Sequence, residues 1–167
     1  LIIIKLKGKI NQFRIKCKKI EEIFAMTNGF EYVTDLSLNE KLVFLRMIIR
    51  LIGKDSRIDD SERAFMKELA KQYQIPREYS AQINQPVSEE DLIAEAKNLL
   101  GRKKSLYLIK ELLTVANSDD DLDDNEIDFV IKISKALGIE DEKVAEINQL
   151  VLDQMSWLDR YHQALEL

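Results

Sequence analysis

Residues 42–75, LVFLRMIIRLIGKDSRIDDSERAFMKELAKQYQI, align without a gap on residues 106–139, LYLIKELLTVANSDDDLDDNEIDFVIKISKALGI, at an offset of 64 (106 less 42). A chain carrying such a repeat has to build one supersecondary unit twice. Phe44, Leu45, Ile48, Ile49 and Leu51 match Leu108, Ile109, Leu112, Leu113 and Val115. Ile58, Phe65, Leu69 and Ile75 match Leu122, Phe129, Ile133 and Ile139, and Ile83 matches Ile147.

Each unit reads as helix, acidic turn, helix. The first helix (about 38–53 and about 103–117) is apolar nearly all round, interrupted mainly by Arg46 and Arg50 or by Lys110 and Thr114. A helix of that kind belongs at the centre of a domain. The second (about 60–74 and about 124–138) is amphipathic, with Phe65, Met66 and Leu69, or Phe129, Val130 and Ile133, at helical spacing. Two such units are expected to bury their faces against each other about a pseudo-twofold axis.

Ser88-x-x-Asp91 opens a further helix that Gly101 is expected to close, and Pro76 suits the first turn of a short one. Residues 140–154 and about 156–165 read as two more helices, and residues 10–26 as a basic one. Apart from IKLK at 4–7, no stretch offers convincing strands. The expected fold is all-α, with about seven helices in one domain over residues 35–167. Its repeat units cover about 38–83 and 103–147, and a basic segment, 1–34, precedes it. Few Gly and Pro and a charged third of the chain suit such a helical protein.

The net charge of −5 hides an asymmetry. Lys5, Lys7, Lys9, Arg14, Lys16, Lys18 and Lys19 give residues 1–20 a charge of +7; subtracting +7 from −5 leaves −12 for the rest. An acidic body argues against nucleic acid as a partner, since phosphates need a cationic surface. Ile10, Phe13, Cys17, Ile20 and Phe24 form one stripe among the basic residues. That stripe fits a membrane-surface contact through residues 1–26 and equally a linker helix packed on the domain. The single cysteine excludes an intrachain disulfide and suits a reducing compartment, so the expected location is cytoplasmic, with membrane association open. No run is long enough to cross a bilayer. The first residue is Leu, so loss of upstream sequence is expected; LIII reads as the end of an anchor, a processed leader or a local strand.

Residues 117–128, NSDDDLDDNEID, hold seven carboxylates and no Lys or Arg. Part of this is capping. In both units an apolar residue is followed by Asp-Asp-x-Glu, so Asp59 or Asp123 at the N-cap and Glu62 or Glu126 three residues on make a capping box. The surplus is Asp55 in the first turn and Asp119, Asp120 and Asp121 in the second. Hard cations such as Ca²⁺ or Mg²⁺ are the natural compensation for such a cluster. The turn is not an EF-hand: with Glu126 at the last ligand position, Val115 falls where an Asp is needed and Asp120 where Gly belongs.

These residues resemble the tellurite-resistance TerB family and its TerB-like relatives. GKDSRIDDSERAFMKELAKQYQI and ANSDDDLDDNEIDFVIKISKALGI are similar to the two copies of its motif, over about residues 38–150. The resemblance implies an all-helical fold with internal pseudosymmetry and an acidic face that binds metal. It also implies a role in bacterial stress responses and membrane-associated complexes, with protein partners and no established enzymatic activity. Carried over, the motif Asp is Asp55 and Asp119, the Ser/Asp position is Asp59 and Asp123, and the Glu is Glu62 and Glu126. The motif Gly is Ser56 in one copy and Asp120 in the other. Lys54, Arg57 and Arg63 neutralise the first copy from within, so the second is the better metal candidate. The set of expected ligands is Asp55, Asp59, Glu62, Asp119, Asp120, Asp121, Asp123 and Glu126.

An enzyme of a different class, a metal-dependent hydrolase using Asp and Glu, is the alternative. Acids crowded at helix starts read as surface groups, and a raised carboxyl pKa needs burial. His162 has no nucleophile or ligand partner at a recognisable spacing, so it reads as a surface residue. Trp157 is expected to anchor the last helix to the core or to a partner.

Overall fold

A computed structural model describes residues 31–52, 60–83, 85–118 and 124–166. Their elements are a 3-10 turn, Glu31–Asp35, then α1 (Leu38–Ile52), α2 (Asp60–Gln72), a second 3-10 turn (Arg77–Tyr79) and α3 (Ser80–Ile83). α4 (Glu89–Leu99), α5 (Arg102–Ala116), α6 (Asp124–Ala136) and α7 (Asp141–Leu165) follow. The fold is all-α, with seven α-helices and no strand among the described residues. The helix expected over 10–26 and the strand at 4–7 lie outside them.

Helix bounds follow the repeat. α5 begins and ends 64 residues after α1, and α6 does so relative to α2. This is a match in position along the chain; no rotation axis is read from it. The two nearly all-apolar helices take the centre, as their composition demands. α1 buries Leu42, Val43, Phe44, Leu45, Met47, Ile48 and Leu51, and α5 buries Leu108, Ile109, Leu112, Leu113, Val115 and Ala116. They pack against each other; α1 also contacts α2, α3 and α4, and α5 also contacts α6 and α7.

The ends of α2 and α6 show why helices stop where they do. Ile139 N–H donates to Ser134 O at 2.9 Å and Gly138 N–H to Lys135 O at 3.1 Å, with Gly138 at φ +69°. That is a Schellman motif, which needs a left-handed residue after the helix. The first unit repeats it: Ile75 N–H donates to Ala70 O at 2.9 Å and Gln74 N–H to Lys71 O at 2.8 Å, with Gln74 at φ +54°. Gln carries a Cβ into a region that glycine enters freely. Gln74→Gly is therefore expected to stabilise the protein by about 0.5–1 kcal/mol, and Gly138→Gln to destabilise it by about as much. No atom lies within 4 Å of a Cβ built on Gly138, so backbone strain alone sets that cost. Urea midpoints of the two variants check both signs.

Three expectations are corrected. The two helices expected over 140–165 are one, Asp141–Leu165: Val151, Met155 and Leu158 are buried at i, i+4 and i+7 across the expected break. Ser156 does not stop a helix whose apolar stripe runs through it, and neither Gly nor Pro follows Gly138. Gly101 does not close α4. The C-cap is Leu100 in an extended conformation, and Gly101 is the N-cap of α5. Trp157 is not a core anchor, being 51% exposed and stacked on Tyr161 at a centroid distance of 5.3 Å. The opening of α4 is as expected, with Asp91 N–H donating to Ser88 Oγ at 3.1 Å. Pro76 sits just before the short 3-10 turn it was expected to start.

Candidate functional site

Of the expected ligands, Asp55, Asp59, Asp119, Asp120, Asp121 and Asp123 lie outside the described residues. Glu62 is described only through its backbone, on the first turn of α2. Glu126 is on the first turn of α6 and is buried, which corrects the reading of it as a surface group; Asp124 and Asp128 beside it are exposed, as expected. Among the described residues no cluster of three or more His, Cys, Asp and Glu side chains forms a metal-sized group. Of the expected ligands, only the Glu126 side chain falls among them.

The described residues do fix the two ends of the second acidic turn. On its N-terminal side, α5 ends in Ala116, and Asn117 caps it with its backbone N–H donating to Leu113 O at 3.0 Å. The Asn117 amide donates to Leu113 O at 2.8 Å and to Asn148 Oδ1 at 2.9 Å, which ties this corner to α7. Ser118 is fully buried and its hydroxyl donates to Val115 O at 2.6 Å. On the C-terminal side, Glu126, Phe129 and Val130 are buried on α6. Alongside, Leu113, Ala116, Asn117, Ile127, Val130 and Val144 help to line a largely apolar groove of about 410 Å³ between α5, α6 and α7.

A second carboxylate went unread in the sequence. Glu111 is fully buried on the central helix α5. Its Oε1 accepts from Lys110 Nζ at 3.0 Å, while its buried Oε2 has no hydrogen-bond partner among the described residues. Its counterpart in the first unit is Met47, also fully buried. An acid at the position where the other copy places an apolar residue was the available signal. The neighbouring Lys110 masked it, because an adjacent Lys-Glu pair reads as a solvated couple.

Glu40 is the best-defined carboxylate. Ser37 N–H donates to its Oε2 at 2.7 Å and Glu40 N–H donates to Ser37 Oγ at 3.4 Å, a capping box at the start of α1. The same carboxylate accepts from Lys104 Nζ at 2.7 and 2.8 Å. Glu40 and Lys104 are themselves 64 residues apart, so equivalent positions of α1 and α5 meet here. Burial alone would push the Glu40 carboxyl up. The Lys104 hydrogen bond, the Ser37 bonds and the Lys104 charge outweigh it, and the carboxyl is held below the ordinary range. The folded pKa is the lower one, so the contribution to stability is complete above the unfolded value. It is lost as pH falls from there through the folded value. Glu40→Gln is expected to cost about 1–2 kcal/mol near neutral pH and less near pH 3. Denaturation midpoints of both proteins at the two pH values check this.

Other ion pairs hold α4 against its neighbours. Arg46 on α1 donates to Glu95 at 2.8 Å, and Lys132 on α6 donates to Glu89, which Arg50 approaches at 3.9 Å. The Arg46 and Arg50 interruptions of the apolar α1 are thereby explained. Both reach α4.

The all-α fold and the acidic run of residues 117–128 define a helical acidic module. The family model described as tellurite resistance protein TerB matches residues 45–149, and the chain belongs to that family. No curated protein and no solved structure matches it. No helix among the described residues is long and apolar enough to cross a membrane.

Proposed function

We propose that this chain is a non-enzymatic TerB-family stress-response module of the bacterial cytoplasm. Its acidic turns, above all residues 119–126, bind a divalent cation, a protein partner, or both. The observation that carries this reading is the burial of Glu126 at one end of the turn and of Ser118 at the other. Seven carboxylates within residues 117–128, with no Lys or Arg among them, repel one another, and a bound cation relieves that repulsion directly. The donor set fits a hard ion: every candidate ligand is a carboxylate, which favours Ca²⁺ or Mg²⁺. Asp119, Asp120, Asp121, Asp123 and Glu126 would hold it, with Asp55, Asp59 and Glu62 as the corresponding first-turn set. Bound there, the ion neutralises the turn and can bridge to acidic groups of a partner.

Thermal unfolding tests this. An ion at about a hundred times its Kd adds about 2.7 kcal/mol, or roughly 5–10 °C in Tm for a chain of this size. Glu126→Gln and Asp119→Asn are expected to abolish the shift while leaving the ion-free Tm within a few degrees. An identical shift in wild type and both variants would place the ion elsewhere. Turnover of phosphoester or peptide substrates that Glu126→Gln removes would assign the hydrolase instead.

A further inference from the structure

The groove between α5, α6 and α7 opens to solvent along a row of apolar side chains. Ile127, Val130 and Ile131 line it from α6, at the i, i+3 and i+4 spacing of one helix face, and Val144 and Ala145 line it from α7. Ile131 is 36% exposed and Ala145 is exposed, so this surface meets water. Leu152, two turns beyond Ala145, continues the α7 wall and is 40% exposed. The Asn117 and Asn148 amides at the groove are bonded to each other at 2.9 Å. The charged groups around it are not so engaged. Asp124, Asp128, Ile131 and Lys135 are spaced by four, three and four, so they form one rim of the groove on α6. Asp141 joins them from the first turn of α7. Asp124, Asp128, Lys135 and Asp141 are all exposed, and none of them is in an ion pair among the described residues. Glu89, Glu140 and Glu146, by contrast, are paired with Lys132, Arg102 and Lys143. One ammonium less three carboxylates leaves the rim at −2.

Floor and rim together select the occupant. A chain segment lying on an apolar floor has to satisfy its own backbone N–H and C=O groups there. The walls are helices, and no strand edge among the described residues is present to pair with it. A helix meets that requirement by itself. Ile127 to Lys135 spans about 12 Å along α6, room for about two turns. A helix of that kind sets its apolar residues, at i, i+3 or i+4 and i+7, into the floor. Lys or Arg beside them then meets the acidic rim. An anionic amphiphile such as a fatty acid would bring its head group against the same carboxylates, which repel it.

We propose that this groove receives a basic amphipathic helix of a partner protein. Ile127, Ile131 and Ala145 take its apolar stripe, and Asp124, Asp128 and Asp141 pair with its flanking cations. The inference rests on the protein-partner half of the function proposed above and does not need the cation, since none of these six residues is among the expected metal ligands.

The probe is a fluorescein-labelled amphipathic helix of Leu and Lys, titrated with the full chain by anisotropy in the presence of a chelator. Its controls are the same helix with Glu in place of Lys and a Leu–Lys peptide of scrambled order. The Lys helix is expected to bind at least about ten-fold more tightly than either control. Ala145→Trp fills the groove from an exposed position and is expected to weaken binding about ten-fold. Asp128→Lys combined with Asp141→Lys is expected to reverse the preference, so that the Glu helix binds the more tightly. Both proteins should melt within a few degrees of the wild type, because every changed side chain is exposed. No binding of the Lys helix overturns the proposal, as does unchanged affinity in Ala145→Trp or equal binding of the Lys and Glu helices. Binding that Trp157→Ser removes and Ala145→Trp does not would move the contact to the exposed face of α7 and overturn it equally. Because a chelator is present, the titration reads the groove alone, and failure of cation binding shows separately as absent calorimetric heat.

Discussion

Phe44→Ala is expected to lower the stability of the protein by about 3–5 kcal/mol, a third or more of what a domain of this kind has in total. Phe44 is fully buried on α1, the helix that contacts α2, α3, α4 and α5. Its ring lies 6.2 Å from that of Tyr73, tilted by 51°, in the edge-inclined range where aromatic pairs attract. Truncation removes the transfer free energy of the ring and leaves a cavity that a packed core fills only in part. The urea midpoint should fall with little change in slope, since the same surface is exposed on unfolding. A loss below about 1 kcal/mol would mean that α1 is not the packed centre.

Glu111→Met is expected to act in the opposite direction, stabilising the protein by about 1–3 kcal/mol. The carboxylate is fully buried, one oxygen is bonded only to the half-buried Lys110, and the other has no partner among the described residues. Desolvation of a charge so incompletely paired exceeds what one hydrogen bond returns. Met is the residue the first unit places at this position, and Met47 is as fully buried as Glu111. Lys110 remains 26% exposed and can turn its ammonium to water once its neighbour is gone. If Glu111→Met instead destabilises, the buried carboxylate is satisfied by something bound in solution. Repeating the measurement in a chelator would identify a cation as that group.

Much of the fold was legible because helices announce themselves by apolar spacing. α1 and α5 follow from Phe44, Leu45 and Ile48 and their counterparts, α2 and α6 from Met66, Leu69, Val130 and Ile133, and α4 from Ser88 and Asp91. The continuity of α7 was not legible. A lone Ser156 resembles a break, and the continuous burial of Val151, Met155 and Leu158 depends on what α5 and α6 place beside them. Long-range charge pairs were hidden for the same reason: Glu40 and Lys104 look like surface residues until α1 and α5 are packed together. The Ser37-x-x-Glu40 box, by contrast, is legible in the sequence as a capping box.

The candidate site was legible as composition and not as environment. The count of carboxylates in residues 117–128 follows from reading the letters, and capping accounts for Asp123 and Glu126 without a ligand. The burial of Glu126 could not be read, because a Glu in the third helical position is as often solvated as covered. Tertiary packing around Phe129 and Val130 decides it.

Calorimetric titration of the full chain with Ca²⁺, Mg²⁺, Mn²⁺ and Zn²⁺, alongside Asp119→Asn and Glu126→Gln, tests the central claim most directly. Saturable heat with Ca²⁺ or Mg²⁺ is predicted for the wild type, with affinity falling by about ten-fold or more in each variant as an oxygen ligand is neutralised. No heat with any of the four ions would contradict cation binding and leave the acidic turns as helix caps facing a basic protein partner.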